Sequence, residues 1–95
     1  MITGRVRDVT TGNGLSGWVV SVTGPTNLSV TTDGNGNYVL NGLAPGAYVV
    51  CETLQSGWGQ TSPVFPNPCG SGMGYNFSLI AGGSAQFVDF GNSPL

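Results

Sequence analysis

Between Asp33 and Cys51 the chain is cut twice by turn chemistry, and this constrains the fold more than any other stretch. Asp33-Gly34-Asn35-Gly36 leads into Asn37-Tyr38-Val39-Leu40, then Gly42-Leu43-Ala44-Pro45-Gly46 leads into Ala47 to Cys51. Gly and Asn tolerate positive φ and Pro presets φ near −65°, so each connection is a turn with a mechanism. Between the turns only strand-length segments fit. Tyr48, Val50, Glu52 and Leu54 share one face, and Ala47, Val49, Cys51 and Thr53 share the other.

The same punctuation runs through the whole chain. Ile2, Gly4 and Val6 alternate with Thr3, Arg5 and Arg7, a half-buried strand with its charges outward. Asp8 to Gly17 is turn-rich, with Leu15 expected to tuck beneath it. Trp18, Val20 and Val22 mark a second strand. Leu28, Val30 and Thr32 mark a third, after the Gly24-Pro25-Thr26-Asn27 turn. Gln55-Ser56-Gly57 turns into Trp58 to Thr61, and Ser62 to Gly74 reads as an irregular loop. Tyr75, Phe77 and Leu79, then Gln86, Val88 and Phe90 after a Gly82-Gly83 turn, supply the last strands. No helical period of useful length occurs. Seven or so short strands at regular spacing predict an all-β sandwich, one domain over residues 1–92 with 93–95 as a tail or linker.

Charge excludes several functions. The only cations are Arg5 and Arg7, set against Asp8, Asp33, Glu52 and Asp89, and the net charge is −2. There is no basic footprint for nucleic acid and no polybasic membrane patch. No apolar run is long enough to span a bilayer. Charged residues make up 6% of the chain, against about 25% in ordinary soluble domains. Such an uncharged, Thr-, Ser- and Asn-rich surface suits secreted repeat modules and chains that pack on their own copies. In a reducing compartment Cys51 and Cys69 would be thiols, and in a secreted chain a disulfide. The composition favours the disulfide.

Catalysis finds no footing. There is no His, the carboxylates are scattered, and neither Cys has an evident base. Asp33, Asn35 and Asn37 imitate the start of a calcium loop. That loop wants Gly at its sixth place and Glu at its twelfth, where Tyr38 and Ala44 stand. Turn chemistry explains the stretch, and no metal or other cofactor is expected. Trp18, Trp58, Tyr38, Tyr48 and Tyr75 read as packing residues rather than a sugar platform. Asn27-Leu28-Ser29 and Asn76-Phe77-Ser78 fit the glycosylation sequon. Glu52 falls in phase with the buried face, with no Lys or His to pair with, so its pKa is expected to rise.

Six motifs in consistent order carry a family resemblance: G-x-V-x-D near the start, G-L-S-G-W-x-V-x-V, T-T-D-G-N-G-N-Y, L-A-P-G-A-Y-V-V, C-E-T-L-Q-S-G-W-x-Q-T and V-D-F-G-N. From Ile2 to Asn92 the chain resembles the collagen-adhesin B-type modules and the B repeats of serine-aspartate-repeat surface proteins. The resemblance implies a prealbumin-like, seven-stranded, immunoglobulin-like β-sandwich, exported to the cell surface as a stalk or spacer repeat. It implies neighbouring copies or domains as partners, with an extracellular protein or glycan as a further class. Many such modules close an isopeptide bond between a first-strand Lys and a last-strand Asn beside an acidic residue. Glu52 and Asn92 hold two of those positions, but the chain has no Lys. Related repeats bind calcium through an acidic loop after the first strand, where this chain has Asp8 and no further carboxylate. The Cys51–Cys69 pair is then a substitute staple.

Overall fold

The computed structural model describes residues 1–62, 68, 69 and 72–95, with the backbone alone for residues 68–69 and 72–73. Its strands are β1 (Ile2–Asp8), β2 (Val19–Thr23), β3 (Leu28–Thr31), β4 (Asn37–Leu40), β5 (Gly46–Glu52), β6 (Trp58–Ser62), β7 (Pro68–Cys69), β8 (Gly72–Met73), β9 (Tyr75–Leu79) and β10 (Phe90–Pro94). One four-stranded sheet runs β4-β1-β10-β6 and the other β3-β2-β5-β9, while β7 and β8 form a short ribbon. The all-β sandwich expected from the turn spacing, and its immunoglobulin-like type expected from the resemblance, are present. Its two sheets hold eight strands, where seven were expected.

The extra strand is β6. Its Trp-Gly-Gln-Thr-Ser sequence lacks the alternation that marks a strand, yet it pairs antiparallel with β10. Residues 93–95 are also not a tail. Ser93 and Pro94 continue β10 opposite Gly59 and Trp58, and Leu95 N donates to Gly57 O at 2.9 Å. The Gly-Asn-Ser-Pro run reads as linker, but it lies between β1 and β6, and its neighbours supply the ladder that its side chains do not advertise. Within the 62–74 stretch, expected to be wholly irregular, the described residues pair Pro68 with Met73 and Cys69 with Gly72.

Alternation decides what lies inside. Ile2 and Val6 of β1, Val20 and Val22 of β2, Tyr38 and Leu40 of β4, and Tyr48 and Val50 of β5 are buried between the sheets with Trp18, Leu79, Val88 and Phe90. Leu15 is half-buried against this core, as its expected role as a plug requires. Trp18 meets Trp58 edge-on at 5.7 Å and 85°, one ring from each side of the sandwich. The Trp and Tyr residues are therefore packing residues.

Buried phenols need acceptors. The Tyr48 hydroxyl donates back to Ala44 O, four residues upstream at the entry to β5, which is the geometry of a tyrosine corner. It closes the Leu-Ala-Pro-Gly turn onto its own strand. Tyr48→Phe is expected to cost about 1 kcal/mol, the net worth of one such bond, read by urea denaturation. A cost near zero would mean that the turn holds without it.

Candidate functional site

Glu52 ends β5 and Asn92 lies in β10, so the two side chains come from opposite sheets. Asn92 Nδ2 donates to Glu52 Oε1 at 2.9 Å, a buried bond that crosses the sandwich. Glu52 is 3% exposed and Asn92 0%. Glu52 Oε2 and Asn92 Oδ1 are both buried and have no hydrogen-bond partner. Removal from water pushes the Glu52 carboxyl up to about 7, against a smaller opposing pull from the Asn92 amide. The in-phase reading of Glu52 as an inward acid agrees with its burial. Its pairing with Asn92 by hydrogen bond is a tertiary fact, since the two lie 40 residues apart.

Asp33 and Asp8 are spent on their own turns. Asp33 Oδ1 accepts from Asn35 N at 2.9 Å and Asn37 N at 3.0 Å. Gly36, at φ 80°, completes that turn in the left-handed region, where Gly is unstrained. Asp8 Oδ1 accepts from Thr10 N at 2.9 Å and from the Thr10 hydroxyl at 2.5 Å, which holds its pKa below the usual carboxylate range. Among the described residues no three metal-ligating side chains converge.

Cys51 is half-buried on β5 opposite Ser21 and is not a free thiol. Cys69 lies in β7, where the backbone alone is described. Of the sequon residues, Asn27 is exposed just before β3, its side-chain oxygen accepting from Gly24 N at 3.2 Å. Asn76 is exposed on β9.

A second constellation was not singled out in the sequence. Ile2 faces Ala85 and Val6 faces Phe90, both in parallel, so four steps along β1 match five along the returning chain. The extra residue makes a bulge. At its centre Phe87 has φ 58°, the one positive value at a non-glycine among the described residues, and its ring is 82% exposed. A bulky residue held there costs about 1 kcal/mol or more, and the exposed ring recovers none of it.

The bulge is tied down on both sides. Thr3 N donates to Ala85 O at 2.9 Å and Val88 N to Thr3 O at 3.1 Å. Arg5 N donates to Asp89 Oδ1 at 2.9 Å and the Tyr75 hydroxyl to Asp89 O at 2.7 Å. The buried Tyr38 hydroxyl donates to Val88 O, and burial pushes its pKa upward. Gly4 makes this approach possible, because a Cβ there would lie 1.9 Å from Val88 O. Between the bulge and the outer faces of β1 and β4 runs a groove of about 450 Å³, lined by Arg5, Arg7, Asn37, Val39, Gln86 and Phe87 among others. The alternation that puts Gln86, Val88 and Phe90 on one face implies an outward Phe87; nothing in it signals the extra residue that holds the ring in place.

No curated protein matches the chain. The family model of the carboxypeptidase regulatory-like domain matches residues 1–79, from β1 through β9. That family consists of non-catalytic modules with an immunoglobulin-like, prealbumin-like sandwich fold. The chain belongs to the carboxypeptidase regulatory-like domain family.

Proposed function

We propose that this domain is an extracellular spacer module, one bead in a stalk of the collagen-adhesin B type, with neighbouring domains of the same surface protein as its partners. The observation that supports this reading is the placement of the terminal strands. β1 and β10 are parallel neighbours, with Val6 against Phe90, Arg7 against Gly91 and Asp8 against Asn92. Ile2 faces Ala85, so Leu95 stands roughly 30 Å further along the ladder at ordinary strand rise. Tension between the two ends loads the β1–β10 bonds together in shear. The Glu52–Asn92 bond joins β5 to β10 across the core, with Asn92 at the position of the linked Asn and Glu52 at that of the acid beside it in the modules the chain resembles. A Cys51–Cys69 bridge ties β5 to β7 and fits an oxidising location.

Single-molecule pulling tests this. Tethered through residues 1 and 95, the chain is expected to resist several-fold more force than when tethered through residues 1 and 41, which unzips β4 from β1. Reductant is expected to add the bridged loop of about 18 residues, about 60 Å of chain, to the released length. Equal forces in the two geometries would sink the spacer reading, and an unchanged length would sink the bridge.

The alternative reading, a subunit of a self-assembling filament, is favoured by a different observation. The edge strands β3, β4, β6 and β9 carry no charged residue, and charge is a common guard against edge-to-edge pairing. Light scattering during the same preparation separates the two: monomers at high concentration for the spacer, ordered fibres for the filament.

A further inference from the structure

We propose that the groove between the Phe87 bulge and the outer faces of β1 and β4 binds an acidic sugar, a uronic-acid unit of a glycan. The ring face would lie on Phe87 and the carboxylate on Arg7.

Charge selects the sign of the ligand. In a chain of net charge −2, both cations, Arg5 and Arg7, line this one groove with a single carboxylate, Asp89. Asp89 has one oxygen engaged by Arg5 N. The Arg5 side chain is held by the neighbouring turns, with Nε donating to Asn35 O at 3.0 Å and Nη2 to Gly12 O at 3.4 Å. The Arg7 side chain is exposed and, among the described residues, has no hydrogen-bond or ion-pair partner. Its planar fork is free to take a carboxylate through two parallel bonds.

The floor of the groove selects the kind of ligand. It is a sheet face, where Thr3 pairs with Val39, Gly4 with Tyr38 and Arg5 with Asn37. On a sheet face the backbone bonds lie in the plane of the sheet, so recognition over this floor falls to side chains. Asn37 and Gln86 carry amides that both donate and accept, as hydroxyl groups do. Phe87 and the 45%-exposed Val39 supply the apolar surface for the C–H face of a sugar ring. A volume of about 450 Å³ lies in the range of small-ligand sites. The Phe87 backbone is already held by the bonded bulge, so little backbone ordering is left to oppose binding. The residues of the bulge, Gln86 to Asp89, lie beyond the stretch matched by the family model.

The test is a ¹⁵N–¹H shift titration of the full chain with a short oligogalacturonate, against a neutral galacto-oligosaccharide and a Glu-rich peptide, at physiological salt. Saturable shifts are expected at Thr3 to Arg7, Asn37 to Val39 and Gln86 to Asp89 with the acidic sugar alone. Phe87→Gly suits the positive φ and keeps the bulge, and Arg7→Gln leaves the core untouched. Each is expected to weaken binding by roughly tenfold or more, the loss of one stacking or charged contact. Shifts outside the groove, equal binding of the neutral sugar, or variants that bind like the parent would overturn the proposal. Tighter binding of the peptide at the same residues would overturn the sugar assignment.

Discussion

Replacing Glu52 by Gln is expected to raise the stability of the domain at and above pH 7 by about 3 kcal/mol while changing little under mild acid. Burial lifts the Glu52 carboxyl from its ordinary value of 4.5 to about 7. A raised carboxyl pKa means that the folded state binds the proton more tightly than the unfolded chain. Its favourable contribution is therefore complete below about 4.5 and is lost as the pH rises through 7. The difference between those values corresponds to about 3 kcal/mol.

The geometry gives the same sign. Ionised, the pair leaves Glu52 Oε2 and Asn92 Oδ1 as two buried acceptors facing no donor. One proton on Glu52 supplies that donor and turns the pair into an acid–amide couple. The amide introduced by Glu52→Gln carries the donor at every pH. Asp8 works in the opposite direction: its pKa is lowered, chiefly by the Thr10 hydroxyl, so its contribution is present above 3.8 and is lost as the pH falls through the depressed value. These two groups together are expected to place the stability maximum of the parent chain on the acid side of pH 7. Denaturant titrations from pH 4 to 8 on both proteins check this, and parallel pH profiles for the two would refute it.

The other large effect is expected at Gly4. A Cβ at this position would sit 1.9 Å from Val88 O and 2.7 Å from the Tyr38 hydroxyl. The nearest obstacle is backbone in a bulge held by several bonds, so no side-chain rotation relieves the clash. Displacing the bulge costs overpacking of about 1–3 kcal/mol, and the Tyr38–Val88 and Val88–Thr3 bonds add about 1 kcal/mol each. Gly4→Ala is thus expected to destabilise by about 4 kcal/mol in urea denaturation. Gly34→Ala, which meets open space, is expected to fall near zero. A Gly4→Ala cost under about 1 kcal/mol would show that the bulge yields easily, and with it the rigidity on which the groove depends.

Local pattern carried much of this protein. The turns at Asp33–Gly36 and Leu43–Gly46, the inward face of Tyr48, Val50 and Glu52, and the sandwich class all follow from period-2 alternation cut by Gly, Asn and Pro. Those forces act within a few residues and can be read from them. The Lys-free composition likewise settles, without coordinates, that no isopeptide bond to a lysine forms within the chain.

Where side chains are short and polar, the chain's own pattern is silent. Gly91 to Pro94 looks like linker because its residues bury little apolar surface of their own. It is a strand because β1 and β6 present hydrogen-bonding edges on either side. Glu52 was legible as an inward acid, but the hydrogen bond from Asn92 depends on two sheets meeting face to face. The Phe87 bulge is the clearest case. Alternation points the ring outward, but only the match of four β1 steps to five on the returning chain, with Gly4 admitting Val88 O, brings Phe87 to the groove that Arg7 and Val39 also line. Alternation and turns are local energies, and the sequence by itself determined the class of fold through them. Register, bulge and groove are set by ladder pairing between distant segments, which only the tertiary structure decides.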